Sequence, residues 1–296
     1  MIPKGKLIVI GGAEYKGNPD DENEDKRRKN REFEPYEILG ELLPAEGDRH
    51  GIEVITTASE VPGEVGEMYI ETFKRTGFAN VDFMNIGNHS DAANEAFIKR
   101  VNKAHAILFS GGDQFRVATI LGGTPIMEAI CARYYHDKDF ILAGTSAGAM
   151  AMPTLMLFSG DNNEAMLKGD VKISSGLGLM DHCIVDTHFV KRGRFGRLAQ
   201  AVVMNPTCIG IGLGEDTALI ISKGNEAVCR GSGMVIIIDG KGIGHTNIAY
   251  AEENSALCVE NFKVHILKKG NGFLLKEREF IPAKDDLKFE RSIGDY

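Results

Sequence analysis

The sharpest chemical signal in the sequence is Gly144-Thr145-Ser146-Ala147-Gly148, which follows the apolar run Phe140 to Ala143 and precedes Ala149-Met150-Ala151-Met152. A Gly-x-Ser-x-Gly segment between a strand and a helix makes a tight turn that exposes the serine hydroxyl at the sheet edge. Ser146 is thereby placed as a nucleophile, with the Ala147 amide at the following helix N-terminus as one oxyanion donor. The plain alternative is a glycine-rich turn around a structural serine, so the chemistry stands only if a base is found. A second glycine turn, Ser110-Gly111-Gly112-Asp113-Gln114, follows the preceding strand and in a parallel sheet lies beside the first. Gly112 can present a second backbone donor without side-chain interference. Gln114 can hold a substrate carbonyl or amide. Without Ser146, the same stretch reads equally as an ordinary strand-to-helix turn capped by Asp113.

A serine hydroxyl needs a neighbouring base to act at neutral pH. Of the eight histidines, His50, His89 and His136 sit in polar loops, His105 begins a strand, and His245 and His265 belong to a hairpin region. His188 differs, because it ends the apolar strand Cys183-Ile184-Val185 and so emerges at a strand's carboxyl end. It also opens a basic block, Lys191, Arg192, Arg194 and Arg197, within an acidic chain. Such a block is usually a solvated helix face, yet Arg194 and Arg197 have i, i+3 spacing and can converge on one carboxylate. For the acid that orients His188, Glu215 follows the strand from Cys208 and precedes another, with Asp216 as its local competitor. The resulting chain order is Ser, His, acid, whereas the usual α/β-hydrolase order is Ser, acid, His.

The elements that must position these residues can be read from hydrophobic spacing. Short runs at 7–10, 52–56, 81–85, 106–109 and 140–143 are expected strands, and 62–76, 91–104, 115–134 and 191–203 are expected helices, with Ser90-Asp91 and Asp113 as caps. This alternation predicts an α/β fold, a three-layer α/β/α sandwich around a mainly parallel, flavodoxin-like sheet with ligands gathering beyond the carboxyl ends of its strands. From about residue 206 to 296 the pattern is all-strand, with runs at 218–222, 227–229, 234–238, 247–250, 262–266 and 273–275 that predict antiparallel hairpins extending the same sheet. A single domain over 1–296 is expected. Residues 16–32 hold six acids and six bases and belong to no core, so they are read as a surface insertion, with a flap over the site as the sharper alternative. The glycines at 210–214 and 240–244 make no dinucleotide fingerprint, since neither set opens a helix in an early βαβ unit.

Composition limits the partners. With 34 Lys plus Arg against 42 Asp plus Glu over 296 residues, the net charge of −8 argues against nucleic acid and anionic membranes. No apolar run reaches the roughly 18 residues of a membrane span. Five widely spaced cysteines, Cys131, Cys183, Cys208, Cys229 and Cys258, form no Cys-x-x-Cys pair and read as reduced buried thiols. The N-terminal run 7–10 stops at Gly11-Gly12-Ala13-Glu14 and reads as a first strand instead of a signal peptide. A cytoplasmic location is expected.

Taken jointly, Val9-Ile-Gly-Gly-Ala-Glu14, Phe109-Ser-Gly-Gly-Asp-Gln114, Gly144-Thr-Ser-Ala-Gly-Ala149, Asp186-Thr-His-Phe189 with Arg192-Gly-Arg-Phe-Gly-Arg197, and Gly212-Leu-Gly-Glu-Asp-Thr-Ala218 resemble the cyanophycinases. These are serine peptidases related to aspartyl dipeptidase E, on a class I glutamine amidotransferase-like fold. The resemblance implies hydrolysis of cyanophycin, a poly-aspartate whose side-chain carboxyls are amide-linked to arginine, into β-aspartyl-arginine dipeptides. By position it implies Ser146 as nucleophile, His188 as general base and acid, and Glu215 as the histidine's partner. It puts Gln114, Asp186, Thr187, Arg192, Arg194 and Arg197 at substrate-binding positions, with Asp186 suited to the substrate guanidinium and the arginines to its carboxylate. Thr187 departs from the glutamine that the family commonly has there. No metal or organic cofactor is implied, and a homodimer is.

Overall fold

The computed structural model describes residues 1–17, 29–45, 50–160 and 166–286, so residues 18–28 of the charged insertion lie outside the described residues. The first half runs β1 (Lys6–Ile10), α1 (Glu37–Gly40), β2 (Ile52–Ile55), α2 (Pro62–Arg75), β3 (Val81–Met84), a single 3-10 turn (Asp91–Ala93), α3 (Glu95–Lys103), β4 (Ala106–Phe109), α4 (Gln114–Leu121), α5 (Pro125–His136), β5 (Ile141–Thr145) and α6 (Ala147–Met150). The second half runs β6 (Leu155–Ser159), β7 (Lys172–Ser175), β8 (Cys183–Asp186), α7 (Phe195–Met204), β9 (Ile209–Leu213), β10 (Thr217–Ser222), β11 (Glu226–Gly231), β12 (Val235–Asp239), β13 (Lys263–Leu267), β14 (Gly272–Leu274) and β15 (Glu279–Ile281).

The main sheet has nine strands in the order β15-β14-β11-β10-β1-β5-β4-β2-β3. From β1 to β3 every neighbouring pair is parallel, and from β10 outward every pair is antiparallel. Strand β1 shows why a sandwich forms. Its alternate residues face opposite sides, Leu7 and Val9 joining the apolar cluster that includes Val117 of α4, Ile130 of α5 and Leu198 of α7, while Ile8 and Ile10 join the one that includes Ile38 of α1 and Phe73 of α2. Two apolar clusters therefore flank one sheet, which accounts for the absence of exposed faces on its central strands.

Helix α2 starts with Pro62 in its first turn beside Glu64 and ends on Lys74 and Arg75, as its dipole favours. Its buried face includes Tyr69 and Phe73, so the same stripe that anchors the helix carries Tyr69 toward the carboxyl edge of β1. Asp113 caps α4 by accepting from the Phe115 amide at 2.7 Å. For α3 the cap is Asn94, which accepts from Ala96 at 2.8 Å. Ser90, expected in that role, makes no side-chain cap bond and belongs to the preceding 3-10 turn.

Four expectations are corrected. The helix expected over 115–134 is two helices bent by 96°, because Gly122-Gly123-Thr124 interrupts it, Gly123 has φ 70, and Pro125 restarts it. The all-strand end does not extend one sheet. Strands β10, β11, β14 and β15 do, whereas β12 and β13 join β9 and β8 in a second sheet of order β13-β12-β9-β8. The chain passes from the second sheet into the first between Leu213 and Thr217, where Asp216 takes φ 50. Residues 248–250, expected in a strand, form a turn in which the Tyr250 amide donates to Asn247. Cysteine burial also differs, for Cys183, Cys208 and Cys229 are buried but Cys258 is exposed.

Candidate active site

Strands β1, β4 and β5 end in register, with Ile10 opposite Thr145 and Phe109 opposite Gly144, so the turns that follow them share one edge. The first of these turns gathers the rest. Ile10 accepts a hydrogen bond from the Ser146 amide at 3.0 Å, Gly11 accepts from the His188 amide at 2.9 Å, and Gly12 accepts from the Asp216 amide at 3.0 Å. Three successive carbonyls thus tether the turns that carry Ser146, His188 and Glu215. Gly12 must lack a side chain, since a Cβ there would lie 2.4 Å from His188 Nε2.

Ser146 adopts φ 52, ψ −117, a conformation L-residues avoid, and this aims its hydroxyl out of the sheet edge. Its Oγ lies 3.0 Å from His188 Nε2, and His188 Nδ1 lies 2.7 Å from Glu215 Oε1. Glu215, and not Asp216, meets the imidazole. Asp216 turns away to accept from the Tyr15 amide and the Ser232 hydroxyl. Lys191 places its ammonium 3.1 Å from Glu215 Oε2, so the carboxylate has a second partner.

The electrostatics follow the geometry. Burial lowers the His188 pKa from the ordinary 6.5, with Arg192 and Arg194 adding to the effect and the bond to Glu215 opposing it. Burial works to raise Glu215, but the bonds from His188 and Lys191 outweigh it and hold the group below its usual value. A neutral base paired with an ionised acid is the state in which an imidazole can accept a hydroxyl proton.

In the turn after β4, Gly112 has φ 142, and a Cβ there would lie 2.1 Å from the Ala58 carbonyl oxygen. Its neighbour Gly111 lies against the elbow, its missing Cβ falling 3.4 Å from Ser146 Cβ. Ala147, the residue after the serine, is buried at the start of α6. Gln114 spends its amide on β6, donating to the carbonyls of Phe158 at 3.0 Å and Leu157 at 3.3 Å.

The basic block divides. Arg192 and Lys191 are exposed next to His188. Arg194 and Arg197 do converge on one carboxylate, but it is the chain's own Asp186. Arg197 donates to it from Nε at 2.7 Å and Nη2 at 2.6 Å, Arg194 from Nη1 at 3.2 Å, and the Thr187 amide adds 2.8 Å. The placement of Asp186 at a substrate guanidinium is thereby corrected, because its carboxylate is fully buried and already accepts four hydrogen bonds from the chain itself. Arg197 and Thr187 are likewise buried and present no face to a ligand. Thr187 leaves its hydroxyl unbonded and gives its carbonyl to Arg194 at 2.7 Å. Burial lowers the Arg194 pKa to about 10.

Four residues to which the sequence assigned no role enter the site. A cavity of about 250 Å3 beside Ser146 and His188 is lined also by Glu14, Lys16, Tyr69 and Thr145. Glu14 is buried and accepts from Tyr69 Oη at 2.6 Å and Thr145 Oγ1 at 2.7 Å, with the Lys16 ammonium at 2.8 Å. Burial alone would raise its pKa, yet Lys16, Tyr69 and Thr145 together bring it to about 2. The available signal was a carboxylate directly after the glycine turn of a buried first strand. A larger cavity of about 590 Å3 lies at the opposite end of β1, between Leu7, Ile221 and Lys223, remote from these groups. The chemistry favours the smaller one.

Comparison with known proteins gives the family. Peptidase family S51 matches residues 34–228. The cyanophycinase of Synechococcus elongatus is 32% identical over 277 residues, covering 93% of this chain and 81% of that protein. The cyanophycinase of Trichormus variabilis is 33% identical over 281 residues, covering 95% of this chain and 89% of that one. Among solved structures, a peptidase from an acI-B1 actinobacterium shares the fold with a TM-score of 0.63 at 22% identity, covering 92% of this chain and 97% of that one. With a serine, a histidine and a glutamate lined up at the carboxyl edge of the sheet and these relatives spanning nearly the whole chain, the protein belongs to peptidase family S51 and is a serine-type peptidase.

Proposed function

We propose that this peptidase hydrolyses cyanophycin to β-aspartyl-arginine dipeptides through an acyl-enzyme on Ser146. The observation that carries the chemistry is the hydrogen-bonded line from Ser146 Oγ through His188 to Glu215. The substrate rests on the similarity to two cyanophycinases over more than nine-tenths of the chain. In this reading His188 Nε2 takes the hydroxyl proton as Ser146 Oγ attacks the scissile carbonyl, and Glu215 stabilises the imidazolium. The amides of Gly112 and Ala147 receive the developing oxyanion. His188 then gives its proton to the leaving amine, and water, activated by the same imidazole, releases the acyl group and restores Ser146.

On the substrate side, exposed Arg192 beside the base, with partly exposed Arg194, serves the free carboxylate of each unit. Gln114 contributes through its carbonyl oxygen. A cytoplasmic homodimer completes the reading. Short aspartyl peptides are the second reading, favoured by a cavity of about 250 Å3 that suits one dipeptide unit.

The test is incubation with cyanophycin and, separately, with short β- and α-aspartyl peptides, products being identified by mass. Release of β-aspartyl-arginine from the polymer is expected, with Ser146→Ala reducing turnover on the order of 10⁴-fold or more. Polymer left intact while a peptide is cleaved would transfer the assignment to the second reading. Binding without Ser146-dependent turnover would make the chain a non-catalytic relative. Sedimentation of the same preparation separates a dimer from the single chain of 32.3 kDa.

A further inference from the structure

The burial of Asp186 leaves the substrate's guanidinium without an acceptor on the arginine-lined side of the site. The opposite side supplies one. We infer that Glu14 is the carboxylate that binds the substrate's cationic group, and that the Lys16 ammonium occupies this subsite in the free enzyme and is displaced by it. The inference rests on the proposed function for the identity of the cation and on the geometry for its place.

Glu14, Lys16 and Tyr69 line the same cavity as Ser146 and His188. The connection to the nucleophile is short, since Glu14 Oε2 is bonded to Thr145, the residue before Ser146. A buried carboxylate needs a counter-charge, and an uncompensated one is costly. Exchange of one cation for another keeps the charge count constant, so the substrate's charge can be buried without creating a new unpaired ion. Lys16 is suited to leave. It lies in a stretch without regular secondary structure, and Arg75 holds the backbone there through the carbonyls of Lys16 at 3.2 Å and Gly17 at 2.8 Å. The flexible lysine stem can therefore swing out while the backbone stays.

The subsite also suits a guanidinium better than an ammonium. Tyr69 presents its ring 5.3 Å from Lys16 Nζ. A planar guanidinium stacks on such a ring and forks onto a carboxylate, which a point charge cannot do. Across the nucleophile stand Lys191 and Arg192. The site is thus polar from side to side, acidic at Glu14 and basic beyond His188, matching a unit that carries one guanidinium and one carboxylate.

The experiment compares kcat/KM for a short oligomer of β-aspartyl-arginine units, cleaved at the backbone bond between units, with its citrulline counterpart, which has nearly the same shape and lacks the guanidinium charge. Wild type is expected to prefer arginine on the order of tenfold or more. Glu14→Gln should bring the ratio close to one. Lys16→Met should lower KM for arginine more than for citrulline, and Lys16→Arg should raise it. Because Glu14→Gln also disturbs Thr145, the lysine variants, which leave that bond alone, carry the decision. Labelling of Ser146 by a fluorophosphonate reports an assembled nucleophile in each variant. Labelled enzymes whose arginine-to-citrulline ratio is the same in wild type, Glu14→Gln and Lys16→Met would overturn the subsite while leaving the proposed function standing. Should wild type cleave neither substrate, the proposed function fails, and calorimetric binding of argininamide to wild type and variants decides the subsite alone, with weaker binding in Glu14→Gln supporting it and equal binding in all overturning it.

Discussion

At the scale of residues, backbone strain and altered acidity gather at the same place. Ser146, His188 and Asp216 take φ values of 52, 48 and 50, each in the region that favours glycine. Such conformations cost about 1–3 kcal/mol apiece and persist only where neighbours enforce them. Here the bonds to Ile10, Gly11 and Gly12 do the enforcing. The lowered His188 pKa sets a pH dependence. In the proposed mechanism His188 acts as a neutral base, so kcat/KM should fall as pH drops through an acid limb lying below 6.5. Glu215 opposes that lowering, so Glu215→Gln should move the limb to still lower pH while cutting the rate on the order of 10³ to 10⁴-fold. A pH-rate series on both enzymes checks this, and a wild-type limb above 6.5 would contradict the assigned base.

At the scale of elements, the turn after β1 is the organiser of the site. A strand in the middle of the main sheet ends in three carbonyls that hold one turn of the first sheet and two belonging to the second. The same turn contributes Glu14 to the cavity. Gly12→Ala tests this directly, because alanine disfavours φ 92 and its methyl would meet His188 Nε2. The expected result is a folded protein, by circular dichroism, with kcat/KM lower by roughly 10² or more from displacement of the base. Full activity in the variant would remove the turn from its organising role.

Across the whole molecule, the ion pair between Asp186 and Arg197 pins the end of β8 to α7 inside the fold. It is a bidentate pair with both partners buried, and Arg194 reinforces it from the loop between. Removing one partner of a buried pair leaves a buried charge unmatched. Asp186→Asn should therefore lower unfolding stability by about 3–5 kcal/mol in chemical denaturation. A change below about 1 kcal/mol would mean that Asp186 has a role other than holding the fold. The net charge of −8 averages over this arrangement, for the basic block at 191–197 runs from exposed Lys191 and Arg192 beside His188 through half-buried Arg194 to buried Arg197.

Local pattern alone indicated the alternation of strands and helices and the turn around Ser146, and it singled out His188 and Glu215, the residues that the structure brings into line with Ser146. Each of these depends on neighbours within a few residues, on period, glycine placement and the end of an apolar run. Sequence could not say that the 115–134 segment breaks, although Gly122, Gly123 and Pro125 stood there as the signal, because amphipathic spacing continues across the bend. It could not divide the terminal strands between two sheets, since their hydrophobic period is the same in either. Nor could it tell which carboxylate faces the cavity. Asp186 ends one buried strand, Glu14 follows another, and both look available. Only the packing of α7, which brings Arg197 and Arg194 onto Asp186, and of α2, which brings Tyr69 onto Glu14, turns the first into a structural ion and leaves the second beside the nucleophile. Burial and ion pairing are decided by residues far apart in the chain, and those contacts exist only once the tertiary structure has formed.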